Sequence, residues 1–112
     1  MPKIVSVKNL TISEVKKILE EEEAKRDLST LENLTLDYSR KLDKVGDAEK
    51  ARSIVERLME KFNLPEEYAV QLVNIMPRVP GEVRLILSPL NRVFSSEELE
   101  EIIGILHGES EK

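Results

Sequence analysis

Asp47-Ala-Glu-Lys-Ala-Arg-Ser-Ile-Val-Glu-Arg-Leu-Met-Glu-Lys-Phe62 runs through the joint Asn63-Leu64-Pro65 into Glu66-Glu-Tyr-Ala-Val-Gln-Leu-Val-Asn-Ile-Met76. Ala48, Ala51, Val55, Leu58, Met59 and Phe62 recur at helical spacing and share one face, and Asp47 is placed to cap the first exposed amides. Pro65 suits the first position of the next helix, where its fixed φ is already helical and its missing amide has no partner to lose. That helix is apolar on more than one side, through Ala69, Val70, Leu72, Val73, Ile75 and Met76, which is the pattern of a central helix.

Downstream, Pro77 and Pro80 break the pattern, and Pro80-Gly81-Glu82 restarts a short helix carrying Val83, Ile86 and Leu87 until Ser88-Pro89 ends it. Ser95-x-x-Glu98 is a capping box, in which a hydroxyl and a carboxylate each satisfy an amide at a helix start. Leu99, Ile102, Ile103 and Leu106 then face inward, Gly108 stops the helix, and Phe94 sits where it can staple the helix start. The four helices from Asp47 to His107 can bury one another as a compact unit, near the lower size at which a core holds alone.

Upstream the apolar content thins. Ser29-x-x-Glu32 is another capping box, followed by Leu31, Leu34, Tyr38, Leu42 and Val45 at spacings of three and four, one narrow stripe on a charged helix. Gly46 is a plausible stop. Thr11-Ile-Ser-Glu14 is a third box, and it opens a helix with Val15, Ile18 and Leu19 that runs into the solvated face Glu20-Glu-Glu-Glu23. Lys3-Ile-Val-Ser-Val-Lys8 reads as a short strand, rich in β-branched residues. A single strand in a helical chain has no partner of its own. It is either a frayed terminus or an addition to the sheet edge of another chain. The expected fold is mainly α: residues 1–46 form an arm of one strand and two helices seeking a partner, and residues 47–112 form a helical bundle.

The chain of 112 residues carries 17 Lys+Arg against 22 Asp+Glu, no cysteine and one histidine. Disulfides, thiolate chemistry and multi-histidine metal sites are thereby excluded. No apolar run is long enough for a membrane span, and the composition fits a cytoplasmic module. The four glycines are scattered, so no phosphate loop is present. His107, in the last helical turn, is better placed to meet helix carbonyls than to act as a base. The reading is a noncatalytic chain with no cofactor, no metal and no small-molecule substrate. Arg78, Arg84 and Arg92 form a basic island broken only by Glu82, with Tyr68 and Phe94 near in sequence. They are candidates for weak single-stranded RNA contact, set against the plainer reading of a solvated surface with Arg84 paired to a neighbouring carboxylate.

The order of these elements also resembles a known family. Thr11-Ile-Ser-Glu-Val-Lys-Lys-Ile-Leu19, Asp37-Tyr38, Lys41-Leu-Asp-Lys44 and Asp47-Ala-Glu-Lys-Ala51 lead to Ile75-Met-Pro-Arg-Val-Pro-Gly-Glu-Val-Arg-Leu-Ile-Leu87 and Phe94-Ser-Ser-Glu-Glu-Leu-Glu-Glu-Ile-Ile-Gly-Ile-Leu106. Together they resemble the F-type stalk family of archaeal DNA-directed RNA polymerase, with Pro77-x-x-Pro80-x-Glu82-Val83-Arg84 as the most specific part. The tail His107-Gly-Glu-Ser-Glu-Lys112 departs from the basic, aromatic helix end of that family. The resemblance implies a noncatalytic stalk protein that forms a heterodimer with the E-type RNA polymerase subunit beside the RNA exit channel, assisting initiation and guiding RNA. It further implies a carboxy-terminal bundle like the accessory domain of certain helicases and RNase D (HRDC-like). Under it, Ile4, Val5 and Val7 are expected to extend a sheet of the E-type partner, with Leu31, Leu34, Tyr38 and Leu42 against the same partner. The alternative is a free-standing helical module that binds nucleic acid.

Overall fold

A computed structural model describes residues 9–108 of the chain. The strand expected over Lys3–Lys8 lies outside the described residues. Within them the order is α1 (Ile12–Glu23), α2 (Thr30–Leu42), α3 (Ala48–Phe62), α4 (Glu66–Ile75), α5 (Pro80–Leu87), a 3-10 turn (Ser88–Leu90) and α6 (Ser96–His107). The mainly helical expectation holds over this range.

All three capping boxes form. Thr11, Ser29 and Ser95 each accept from the backbone amide three residues on, while Glu14, Glu32 and Glu98 bond back to the cap. Asp47 accepts from the amides of Glu49 and Lys50. Each cap supplies a partner to an amide that the helix itself cannot satisfy, an effect of about 1 kcal/mol. Two boundary expectations shift. Pro65 is the residue before α4 rather than its first helical residue, with extended ψ 148°. Gly46 does not end α2, which stops at Leu42. Gly46 instead takes φ +84° in the linker, a conformation that favours glycine.

One apolar core lies among α3 to α6. Ala51, Val55, Leu58, Leu72, Val83, Leu99 and Ile102 are fully buried within it, joined by Phe62, Leu64, Val70 and Phe94. Burying each of its larger aliphatic side chains contributes about 1.5–3 kcal/mol against the entropy of ordering it. In α3 Ile54 joins the buried face, and in α6 Ile105 goes inward while Ile103 packs at the edge, departures from the pattern read in the sequence in both helices. A helix face wider than one strict stripe, wrapped by neighbours on two sides, accounts for both.

The chain turns inside the bundle on residues with left-handed backbone: Asn63 at φ 55° after α3, Met76 at φ 53° after α4, and Asn91 at φ 54° after the 3-10 turn. Asparagine tolerates that region; methionine there costs roughly 1–2 kcal/mol relative to a right-handed residue.

Helices α1 and α2 form a hairpin that packs on α3 through α1. Polar groups make much of this junction. Arg52 of α3 donates from Nε and Nη2 to both carboxylate oxygens of Glu14, at 2.9 and 2.8 Å, and from Nη2 to the carbonyl of Asn9 at 2.9 Å. The amide of Ile12 donates to Asn74 Oδ1 at 2.9 Å, and Lys44 Nζ to the carbonyl of Ile75 at 3.3 Å.

Candidate functional site

Helix α2 turns its two sides to different surroundings. Leu36 and Ser39 are buried against the rest of the protein. Just past the helix, Asp43 closes the same side: its carboxylate accepts from Ser13 Oγ and from the amides of Val45 and Gly46, and pairs with Lys16 Nζ at 2.7 Å. Burial works against the charge on Asp43, but Lys16, Ser13 and the two amides outweigh it and hold the carboxyl at about 2.

The opposite side carries the stripe read from the sequence. Leu31, Leu34, Tyr38 and Leu42 are exposed by 72, 60, 69 and 46% of their surface. Spacings of three and four set them along one edge of a helix of thirteen residues. A helix that packs on its own protein through one leucine, a serine and an aspartate, while showing three leucines and a tyrosine outward, reverses the ordinary arrangement of a surface helix. Those four are half of the eight large apolar side chains exposed among the described residues.

The hairpin holds this face in place through charged ties. Arg26, in the connection, donates to Glu22 at 3.1 Å and to both oxygens of Glu32, at 3.0 and 2.8 Å. That guanidinium, together with the amide of Ser29, holds the Glu32 carboxyl at about 2. Arg40 of α2 reaches Glu20 and Glu23 of α1 at 3.3 and 3.5 Å, so part of the glutamate run expected to be solvated is paired across the hairpin.

The three arginines of the basic island are not brought together as one surface. Arg92 donates to the carbonyls of Phe62 and Asn63, at 2.7 and 3.0 Å, and its guanidinium stacks 5.0 Å from the centre of the Phe94 ring. Its donors serve the carbonyl end of α3, and its plane covers the aromatic face that a base would need. Phe94 is itself buried beside the start of α6, as a staple requires. Arg84 is exposed on α5. Arg78 stands on a cleft between the end of α4 and the end of α6. His107 lies on the same cleft and its Nε2 is 3.0 Å from the carbonyl of Pro77, so it does meet a carbonyl, though of the α4–α5 connection and not of its own helix. Ile4, Val5 and Val7 are outside the described residues.

Lys44 and Asn74 are polar residues that the sequence does not single out. Nothing in their local pattern marks them, because their partners lie 31 and 62 residues away. Among the described residues no group of three or more histidine, aspartate or glutamate side chains is placed to hold a metal ion. Among the same residues no helix is long and apolar enough to cross a membrane.

The geometry defines a class of protein: a small helical chain that offers an apolar helix face to its surroundings. Sequence comparison gives the class its family. The RNA polymerase Rpb4 family matches residues 9–108, and the chain belongs to that family. It is also similar to the DNA-directed RNA polymerase subunit Rpo4 of Methanocaldococcus jannaschii, with 30% identity over 101 residues, covering 90% of this chain and 86% of that protein. Its role is that of an RNA polymerase subunit, associated with the polymerase core.

Proposed function

We propose that this chain is the noncatalytic F-type stalk component of an archaeal DNA-directed RNA polymerase, and that the exposed face of α2 is where the E-type stalk partner binds. The observation that carries the reading is the outward stripe Leu31, Leu34, Tyr38 and Leu42 on a helix whose own inward side buries only Leu36 and Ser39. Burying those four side chains on association removes enough apolar surface to anchor an interface, with Tyr38 the type of residue that dominates such contacts. In this reading residues 1–46 are the docking arm, with Ile4, Val5 and Val7 adding a strand to a sheet of the partner. Residues 47–112 are an HRDC-like bundle that stands away from the partner. The heterodimer sits near the RNA exit channel in the cytoplasm, assists initiation and guides RNA, while the chemistry belongs to the large polymerase chains.

Co-expression with the E-type stalk partner of the same organism tests this. The wild-type pair is expected to co-elute, and Leu34→Asp with Tyr38→Ala to abolish co-elution while the chain alone keeps its melting temperature. Val5→Pro, which removes a ladder donor, is expected to weaken the pair. Undiminished assembly of the α2 double variant overturns the docking face; undiminished assembly of Val5→Pro overturns strand addition alone. The free-standing nucleic-acid module is the weaker reading, since Arg92 and Phe94 are engaged with each other.

A further inference from the structure

The cleft beside the end of α4 lies apart from the α2 face. It has a volume of about 640 Å³, and its lining includes Lys44, Ile75, Arg78, Val79, Glu82 and His107. Two features of this lining point to a ligand. Ile75 and Val79 are exposed by 46 and 51%, two further members of the exposed apolar set. The charge is locally inverted: in a chain of net charge -5, the cleft holds two permanent cations against one carboxylate. That carboxylate, Glu82, is occupied by the backbone amide of Arg78 at 3.2 Å. Lys44 bonds only a neutral carbonyl, and the Arg78 guanidinium has no bonded partner among the described residues.

The walls are built. Met76 in the left-handed conformation turns the chain sharply after α4, and the carbonyls exposed around that turn are taken up from two sides. Lys44 of the linker caps Ile75, and His107 of α6 bonds Pro77. Linker, turn and last helix thus meet at one place, where the cationic groups share the lining with the exposed aliphatic surface of Ile75 and Val79.

We propose that this cleft docks an acidic peptide segment of another protein, one that alternates carboxylates with aliphatic side chains. Lys44 and Arg78 take the carboxylates, and the surface of Ile75 and Val79 takes the aliphatic residue. Charge complementarity selects an anion, and the exposed aliphatic surface of Ile75 and Val79 selects among anions. Among the described residues no phenylalanine, tyrosine or tryptophan lines the cleft for a base to stack on, the His107 ring is engaged with the carbonyl of Pro77, and a phosphate backbone gains nothing from exposed isoleucine and valine. The site is independent of the α2 face and does not rest on the assignment of the stalk partner.

The test uses the full, nitrogen-15-labelled chain and three probes: a synthetic acetylated peptide of alternating glutamate and leucine, its lysine–leucine counterpart, and single-stranded oligouridylate. The acidic peptide is expected to shift the amide resonances of Lys44, Ile75, Val79 and His107, and the basic peptide to leave them unmoved. Arg78→Glu is expected to weaken the acidic peptide roughly five- to tenfold, since one attractive exposed pair becomes a repulsive one. Lys44→Met, which keeps the stem and removes the charge, is expected to weaken it about threefold. Shifts confined to other residues, or unchanged affinity in both variants, overturn the proposal. So does tighter binding of oligouridylate at the same residues, which makes the cleft an RNA surface. Dilution-dependent shifts without any probe make it a contact between copies. Binding that emerges only after deletion of residues 109–112 makes the chain's own tail the occupant. Either of these also overturns it.

Discussion

Arg52 holds Glu14 with two parallel hydrogen bonds, Nε to Oε2 at 2.9 Å and Nη2 to Oε1 at 2.8 Å, and so fastens α1 to α3. The same guanidinium donates from Nη1 to Glu66 at 2.7 Å, at the start of α4. One side chain therefore connects the hairpin to two helices of the bundle. Burial opposes ionisation of Glu14, yet its bonds to Arg52 and to Thr11 keep its pKa below the ordinary glutamate value.

Arg52→Ala is expected to cost about 1–2 kcal/mol, because the pair is only partly shielded from water. Hydrogen exchange locates the loss. Amides of α1 and α2 are expected to exchange faster while those of α4 and α6 keep their protection. Arg52→Lys is expected to recover only part, since an ammonium cannot make the paired bonds of a planar fork.

Asp43 predicts an acid limb. Its carboxyl lies at about 2 in the folded protein against an ordinary value of 3.8. A depressed folded value contributes stability that is complete above the unfolded value and is lost as pH falls through the folded one. The contribution is about 2 kcal/mol, present at neutral pH and lost between about pH 4 and pH 2. Urea unfolding along that range is expected to flatten in Asp43→Asn. Equal slopes in wild type and variant rule out Asp43 as the source. Glu32 titrates in the same window, but its exposed position gives it little weight.

Leu34→Ser and Tyr38→Ser, made singly, are expected to leave the stability of the isolated chain within about 0.5 kcal/mol, since neither side chain is buried. Leu36→Ala, midway between them in sequence but on the inward side, is expected to cost about 2–4 kcal/mol. Thermal melts of the three variants separate a helix with an outward apolar stripe from one that buries that stripe. A large loss in Tyr38→Ser contradicts the former.

Arg92 and Arg84 are both exposed arginines of the same island, yet their removal is expected to differ. Arg92→Ala frees the carbonyls of Phe62 and Asn63 and uncovers Phe94, a cost of about 1–2 kcal/mol. Arg84→Ala is expected to be neutral within about 0.5 kcal/mol. Denaturant midpoints of the two variants are the measurement.

Most of the helical order is legible in the sequence because it is encoded locally. Three capping boxes, one aspartate cap and the proline at the start of α5 mark helix starts with residues that act within a few positions. The stripe on α2 is legible for the same reason, as spacing alone. Its outward orientation is not, since that depends on which side of α2 meets α1. The ties that seat the hairpin are invisible. Arg52 finds Glu14 at 38 positions' distance and Ile12 finds Asn74 at 62, and no periodicity links such pairs. A first half poor in apolar residues therefore looks less self-sufficient than its polar ties make it. Arg92 reads as a free cation because its partners are carbonyls, which sequence never displays.

The charged fastening of the hairpin has a consequence for ionic strength. The core of α3 to α6 is apolar and indifferent to screening, whereas Arg26 and Arg40 hold the hairpin through pairs open to solvent. Added salt therefore slackens the hairpin before it touches the bundle, sparing longest the better shielded bonds of Arg52 and Asp43. The molecule thus has two mechanical halves tuned by different properties of the solution, and the half that salt can loosen is the one that carries the outward stripe.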